Sequence, residues 1–257
     1  MDENVYGNQK RLHWIKSYLT PGDRILEIGC GTGVMISLPL AQDGIAVTGN
    51  DDDIPSIKYG GEVLESYSLD TSILVSDMDS IVPGSYDVII ASEVIEHISD
   101  SDMKDFFDVI HRFLKPGGLF LATVPNGYGW FEIENILWSK LYLGRILSFF
   151  YVDRVILEVK QALNLPNLIY SHPSTLSSSP HLQRFTAPSI CRLIEDSNFH
   201  VLHSFGSTLV SGPISNMLFS GLPTFFGVNN YLGHKLKYVA SGFYVVSKSH
   251  EVDADVN

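Results

Sequence analysis

The chain has 257 residues, 45% of them hydrophobic and 18% charged, with a formal net charge of −12. That length and apolar content suit one α/β domain with an insertion and exclude global disorder. The acidic balance repels phosphate backbones, so nucleic acid is disfavoured as a partner. Two distant cysteines, Cys30 and Cys191, exclude a disulfide framework and fit a reducing cytosol, so a cytoplasmic location is expected.

Met1-Asp2-Glu3-Asn4 has neither a basic nor an apolar leader region, and no signal peptide is expected. Asn8–Leu19 reads as an amphipathic helix ended by Pro21-Gly22. Short apolar runs then alternate with helical stretches, the pattern of a parallel sheet covered on both faces. Strands are expected at Arg24–Ile28, Ile45–Gly49, Ser72–Val75, Tyr86–Ala91 and Gly118–Val124, and helices near Val34–Gln42, Ile54–Ser66 and Asp102–Leu114. In the last helix Met103, Phe106, Phe107, Ile110, Phe113 and Leu114 mark one apolar face, and Lys115-Pro116-Gly117-Gly118 stops it.

After Pro125-Asn126 the rhythm breaks for about 55 residues, too long for a structureless loop. A helical cap over residues 127–180 is expected between a cofactor-binding half, 1–126, and a C-terminal part, 181–248. That part holds a helix near Ala187–Ser197 and strands near His200–Phe205 and Ala240–Ser247. A frayed tail, 249–257, closes the chain.

A strand runs into Gly29-Cys30-Gly31-Thr32-Gly33 and then into a helix, which sets backbone N–H groups beside a ligand. Cys30 reads as a small filler between the glycines, and Glu27 lies near the carboxyl end of the strand. The dinucleotide fingerprint fails, because its last glycine falls on Val34. Asp51, with Asp52 as its neighbouring alternative, ends the second strand where a carboxylate can accept from vicinal ribose hydroxyls. Asp77 follows the third strand and can accept from an exocyclic amine, while Met78 can pack on a purine. Ser92, just past the fourth strand, is a further cofactor-binding candidate.

These elements, with Tyr86–His97 and Leu114-Lys115-Pro116-Gly117-Gly118, resemble class I S-adenosylmethionine-dependent methyltransferases over residues 20–126, and more loosely over 181–248. The resemblance implies a Rossmann-like, doubly wound seven-stranded α/β sheet whose last strand is antiparallel. It implies S-adenosylmethionine as cofactor, with Glu27, Gly29, Gly31 and Gly33 on the methionine and ribose side, Asp51 on the ribose, and Asp77 with Met78 on the adenine.

Methyl transfer to a hydroxyl needs alignment and removal of a proton. If a helical turn follows the fourth strand, Glu93, Glu96 and His97 share one face and can hold a divalent ion such as Mg²⁺. Glu93 and His97 are the catalytic candidates. Glu-x-x-Glu-His followed by a distant His181 beside Phe185-Thr186 resembles two branches, the small-RNA 3′-end 2′-O-methyltransferases and the ubiquinone-biosynthesis O-methyltransferases. The first implies Glu93, Glu96, His97 and His181 as a metal set. Gly221-Leu222-Pro223 and Gly242–Lys248 look more like the small-molecule branch.

The leading expectation is therefore a small-molecule O-methyltransferase acting on a phenolic, sugar or lipid-linked hydroxyl. An RNA 2′-O-methyltransferase needs a basic groove that the sequence does not supply. A dinucleotide oxidoreductase lacks its Tyr-x-x-x-Lys pair, and a non-catalytic module would not need the intact glycines and carboxylates. Trp130, Phe131, Trp138, Tyr142, Phe149, Phe150 and Tyr151 are expected to bury one another in a helical pair over the site. The alternative is that Ile136–Tyr151 rests on a membrane, with only Lys140, Arg145 and Arg154 nearby to attract anionic lipid.

Overall fold

In a computed structural model, residues 4–163, 165, 172–177 and 179–250 are described. Seven strands run β1 (Arg24–Ile28), β2 (Ala46–Asn50), β3 (Leu74–Val75), β4 (Tyr86–Ser92), β5 (Leu114–Pro125), β6 (Phe199–Gly206) and β7 (Gly242–Ser249). Their order in the sheet is β3-β2-β1-β4-β5-β7-β6, and β7 runs antiparallel to both of its neighbours. The chain reverses its direction of travel across the sheet between β1 and β4, which pair in parallel from Ile25–Val88 to Ile28–Ala91. At such a reversal the loops leaving two adjacent strands diverge and open a crevice.

Helices cover both faces. Helices α1 (Asn8–Lys16) and α2 (Ser37–Gln42), with Ile36 just before α2, pack Leu12, Ile15, Ile36 and Leu40 against Ile25, Val88, Ile90 and Val246. Helix α3 (Ile54–Ser66) starts at Asp53, whose carboxylate accepts from Ser56 N at 3.2 Å, with Pro55 in the first turn. On the opposite face lie α4 (Met103–Phe113) and α8 (Ala187–Asp196). They bury Phe107, Ile110, Phe113, Ile190 and Ile194 against Leu26, Ile89, Phe120 and Val245. Thr186 and Ser189 cap α8 reciprocally.

The sequence misplaces several boundaries. Helix α1 stops at Lys16 and α2 starts only at Ser37. Leu114-Lys115-Pro116 is already extended in β5, so helix α4 passes into strand without a separating turn. The cap comprises α5 (Trp130–Asn135), a π-helical turn (Ile136–Lys140), α6 (Leu143–Phe149) and α7 (Val152–Ala162). Two helices between β6 and β7 had no counterpart in the sequence reading: α9 (Pro213–Phe219) and α10 (Pro223–Lys235). Of the expected tail, Ser249 closes β7, and residues 251–257 lie outside the described residues.

The aromatic residues of the cap do not bury one another. Phe149 is 76% exposed, Phe150 67% and Tyr151 58%, and α6 has no buried residue. The cap is held to α9 by its charged side chains instead. Buried Glu134 accepts from Trp130 Nε1 at 2.5 Å, from Ser215 N at 2.8 Å and from the Ser215 hydroxyl. Buried Lys160 donates to Met217 O at 2.7 Å and Ser220 Oγ at 2.6 Å.

Candidate active site

The loop leaving β1 takes positive φ at Gly29, Gly31 and Gly33. At Gly31 (φ 57°) a Cβ would lie 2.2 Å from Ser174 O, so only glycine fits beneath the segment that crosses above it. That segment, residues 172–177, is pinned to the loop and to α3. Thr32 N donates to Ser174 O at 2.9 Å and Thr32 Oγ1 to Pro173 O at 2.7 Å. Leu176 N donates to Ser56 Oγ at 2.8 Å, and His172 Nδ1 meets Tyr59 OH at 2.9 Å.

Asp51 stands where its place at the end of β2 predicts. One oxygen accepts from Gly31 N at 2.6 Å and the other from Asp53 N at 2.9 Å, so its carboxylate is fixed against the glycine loop. Each oxygen retains a lone pair for a further donor. Asp52 is exposed. Asp77 is exposed at the end of β3 and caps its own turn through Asp79 N at 2.9 Å, while Met78 packs against the core.

Glu27 is buried and accepts from Ser37 N at 3.0 Å and Ser37 Oγ at 2.5 Å, tying β1 to the start of α2. Burial raises its pKa to about 7, against the two Ser37 donors and the Arg11 charge, with the nearby Asp51 adding to the rise. The Cys30 thiol is likewise raised by burial and by Glu27 and Asp51.

Beyond β4 the geometry departs from the sequence reading. Glu93 adopts φ 58° and lies outside the 3₁₀ turn Ile95–His97, and it is not among the ligand atoms that converge there. Its Oε1 accepts from Thr123 Oγ1 at 3.0 Å and lies 3.6 Å from Arg11 Nη1. The shared face of Glu93, Glu96 and His97 therefore does not form, and Glu93 leaves the four-residue metal set. Arg11 Nη1 also donates to Ser92 Oγ at 3.1 Å, and Ser92 Oγ bonds Thr123 Oγ1 at 2.9 Å.

The other three candidates do converge. One ligand atom each from Glu96, His97 and His181 lies within 4.8 Å of the other two. The main chain arranges this: Leu182 N and Gln183 N both donate to Glu96 O, at 2.8 and 2.9 Å, which lays His181 beside the turn. Glu96 is 1% exposed, and neither carboxylate oxygen has a hydrogen-bond partner. Burial, then the Glu93 charge, pushes its pKa well up. His97 Nδ1 is 3.0 Å from Pro180 O and 2.9 Å from Ser179 Oγ. The Pro180 carbonyl can only accept, so Nδ1 carries the proton and Nε2, 3.9 Å from Glu96 Oε1, keeps its lone pair.

Two members of this site were missed in the sequence. Arg11 sits with Asn8, Leu12 and Ile15 at helical spacing, so a cation on the core-facing side of α1 was the available signal. Glu132, in the aromatic run of the cap, brings Oε1 to 3.4 Å from His181 Nδ1. An acid among large apolar residues was the clue there.

The model of a methyltransferase domain family matches residues 6–204. Among curated proteins, the chain is 35% identical over 129 residues to a ubiquinone biosynthesis O-methyltransferase of Pseudomonas aeruginosa, covering 47% of this chain and 54% of that one. The chain thus spans about half the length of the curated relatives it matches. Among solved structures, a SAM-dependent methyltransferase from Methanosarcina mazei superposes with TM-score 0.56 at 20% identity, covering 92% of this chain and 97% of that one. The geranyl diphosphate C-methyltransferase of Streptomyces coelicolor, solved with Mg²⁺, geranyl diphosphate and S-adenosyl-L-homocysteine, superposes with TM-score 0.52 at 15% identity, covering 95% and 80%. The superpositions carry the fold, and the family model carries kinship over most of the chain: it belongs to the class I S-adenosylmethionine-dependent methyltransferases.

Proposed function

We propose that this chain transfers the methyl group of S-adenosylmethionine to a hydroxyl of a small acceptor, phenolic, sugar or lipid-linked. The observation that carries this reading is the convergence of Glu96, His97 and His181 at the carboxyl edge of the sheet, one strand from the glycine loop. The acceptor oxygen attacks the methyl carbon, the carbon–sulfur bond breaks, and the donor leaves as neutral S-adenosylhomocysteine. The hydroxyl proton goes to His97 Nε2, whose ring is aligned by Pro180 and Ser179. Similarity to the ubiquinone biosynthesis O-methyltransferase supports oxygen as the methylated atom. The RNA alternative finds no support: the first 135 residues, which carry most of this edge, hold 22 acidic against eight basic residues.

The donor end is proposed to use Asp51 for the ribose, Asp77 and Met78 for the adenine, and Arg11 for the methionine carboxylate. The guanidinium of Arg11 has five N–H donors, more than Asn8, Ser92 and Glu93 engage. Replacing Arg11 by Met should weaken S-adenosylhomocysteine binding about tenfold, with Lys restoring part of it. Calorimetry with decarboxylated S-adenosylmethionine separates the roles, since that ligand should not distinguish wild type from Arg11→Met.

A second reading rests on the unpartnered Glu96 oxygens. A buried carboxylate without donors, beside two imidazoles, suits a divalent cation held by Glu96, His97 and His181 with Glu132 adjacent. Such an ion would lower the pKa of the acceptor hydroxyl. Under this reading, purified protein carries about one equivalent of metal that Glu96→Ala loses, and chelation removes activity. An active, metal-free protein indifferent to chelator leaves His97 as the base.

A further inference from the structure

The turn that leaves β5 carries an acid of the cap to the reaction site. Gly129 N donates to Asn126 O at 2.8 Å and Tyr128 N to Asn126 Oδ1 at 3.1 Å, which closes the turn. A Cβ on Gly129 would lie 2.9 Å from Asn126 Cβ and 3.0 Å from Ala240 O, so only glycine allows α5 to start at the next residue. Glu132 lies in the first turn of that helix, two residues before the Glu134 that anchors it on Ser215. His181 is drawn to the same strand end. Asn126 bridges Phe185, and Gly127 N donates to Phe185 O at 2.9 Å, which lays residues 181–185 alongside. Glu132 Oε1 and His181 Nδ1 meet there at 3.4 Å.

A solvated ion pair would need no functional reason. This acid is mostly covered, its side chain 15% exposed, and among the described residues no Lys or Arg pairs with it. Its partner is the imidazole that also offers one ligand atom within 4.8 Å of those of Glu96 and His97. A carboxylate can only accept, so it draws the ring proton to Nδ1 and leaves the lone pair on Nε2. His97 is held in the same tautomer by Pro180 O. The two imidazoles are thus set alike, one by a main-chain carbonyl and the other by a cap carboxylate. A bare Nε2 serves either chemistry of the site, since it takes a proton from a hydroxyl or holds a divalent ion.

We propose that Glu132 is a positioning residue of the methyl transfer, the carboxylate through which the cap fixes the ring and the tautomer of His181. The cap then supplies a working part of the site and is not only its cover. This rests on the reading of Glu96, His97 and His181 as the reaction site, while the tautomer of His181 is read in the resting protein without any turnover.

In the full chain labelled with ¹⁵N-histidine, long-range ¹H–¹⁵N correlation at about pH 8 should show His181 protonated at Nδ1 and bare at Nε2, its signals identified by their loss in His181→Gln. Glu132→Ala should shift the proton towards Nε2, and Glu132→Gln, whose amide oxygen still accepts, should keep it on Nδ1. With catechol as acceptor, kcat should fall about tenfold or more in Glu132→Ala and recover in Glu132→Gln, KM staying within about twofold. Both Glu132 variants should bind S-adenosylhomocysteine as wild type does, which shows that the fold is intact. A wild-type His181 protonated at Nε2, or a tautomer that Glu132→Ala leaves in place, overturns the proposal. So does a kcat that stays unchanged once the tautomer has moved. A wild type with the expected tautomer and no turnover of catechol sinks the phenolic acceptor, while the tautomer still assigns Glu132 to His181.

Discussion

Asp51→Ala should weaken S-adenosylhomocysteine binding by more than about tenfold in a calorimetric titration, and Asp51→Asn by less. The substitution removes two things. The first is the charged acceptor proposed for the ribose hydroxyls, with each such hydrogen bond worth about 1.5–3 kcal/mol. The second is the brace that fixes the glycine loop, since Asp51 accepts from Gly31 N and Asp53 N. Asparagine keeps one acceptor oxygen and can restore part of the brace. Because the side chain is half-buried, the loss should fall on affinity more than on folding. Affinity unchanged in Asp51→Ala would remove the carboxylate from the donor site.

Glu96→Gln should lower kcat/KM by about 10²-fold or more while making the apo protein more heat-stable at alkaline pH. Glu96 is buried without donors, and its pKa is pushed well up, so its ionised form is a liability to the fold. For a carboxyl whose folded pKa is raised, the stabilising contribution is complete below the unfolded value and is lost as pH rises through the folded value. Glu27 behaves likewise, from its ordinary 4.5 to about 7. The wild-type Tm should therefore fall as pH rises from about 5 to about 8, and Glu96→Gln should flatten that fall, by about 2–6 °C at the alkaline end. In acid, where Glu96 is already neutral, the two proteins should melt together. A Glu96 that served only to hold the turn would lose stability on substitution at every pH.

Much of this architecture was legible because it is encoded locally. The β1 motif needs a strand, a tight turn and a helix start within a dozen residues, and glycines with positive φ cannot be read as ordinary coil. The site beyond β4 was half legible. His97 and His181 are joined by main-chain bonds from Leu182 and Gln183 to Glu96, a tertiary contact that no periodicity announces. Glu93 was misread because one left-handed residue rotates a side chain out of a face that helical spacing assumes. Helices α9 and α10 were missed because Gly, Pro, Ser and Asn punctuate their run, and α10 buries only Phe226, Asn229 and Gly233, which leaves no regular apolar stripe to read.

The segment 172–177 ties the return from the cap to the loop beneath it, through Thr32, Ser56 and Tyr59. On the proposed assignment of the glycine loop to the donor and the cap to the acceptor, the two are therefore not modular in this chain. Exchanging the cap for one of different acceptor preference would carry away the roof of the glycine loop. A graft that preserves residues 172–177 together with Thr32, Ser56 and Tyr59 keeps both functions in register, and one that cuts within that span unroofs the donor while re-aiming the acceptor.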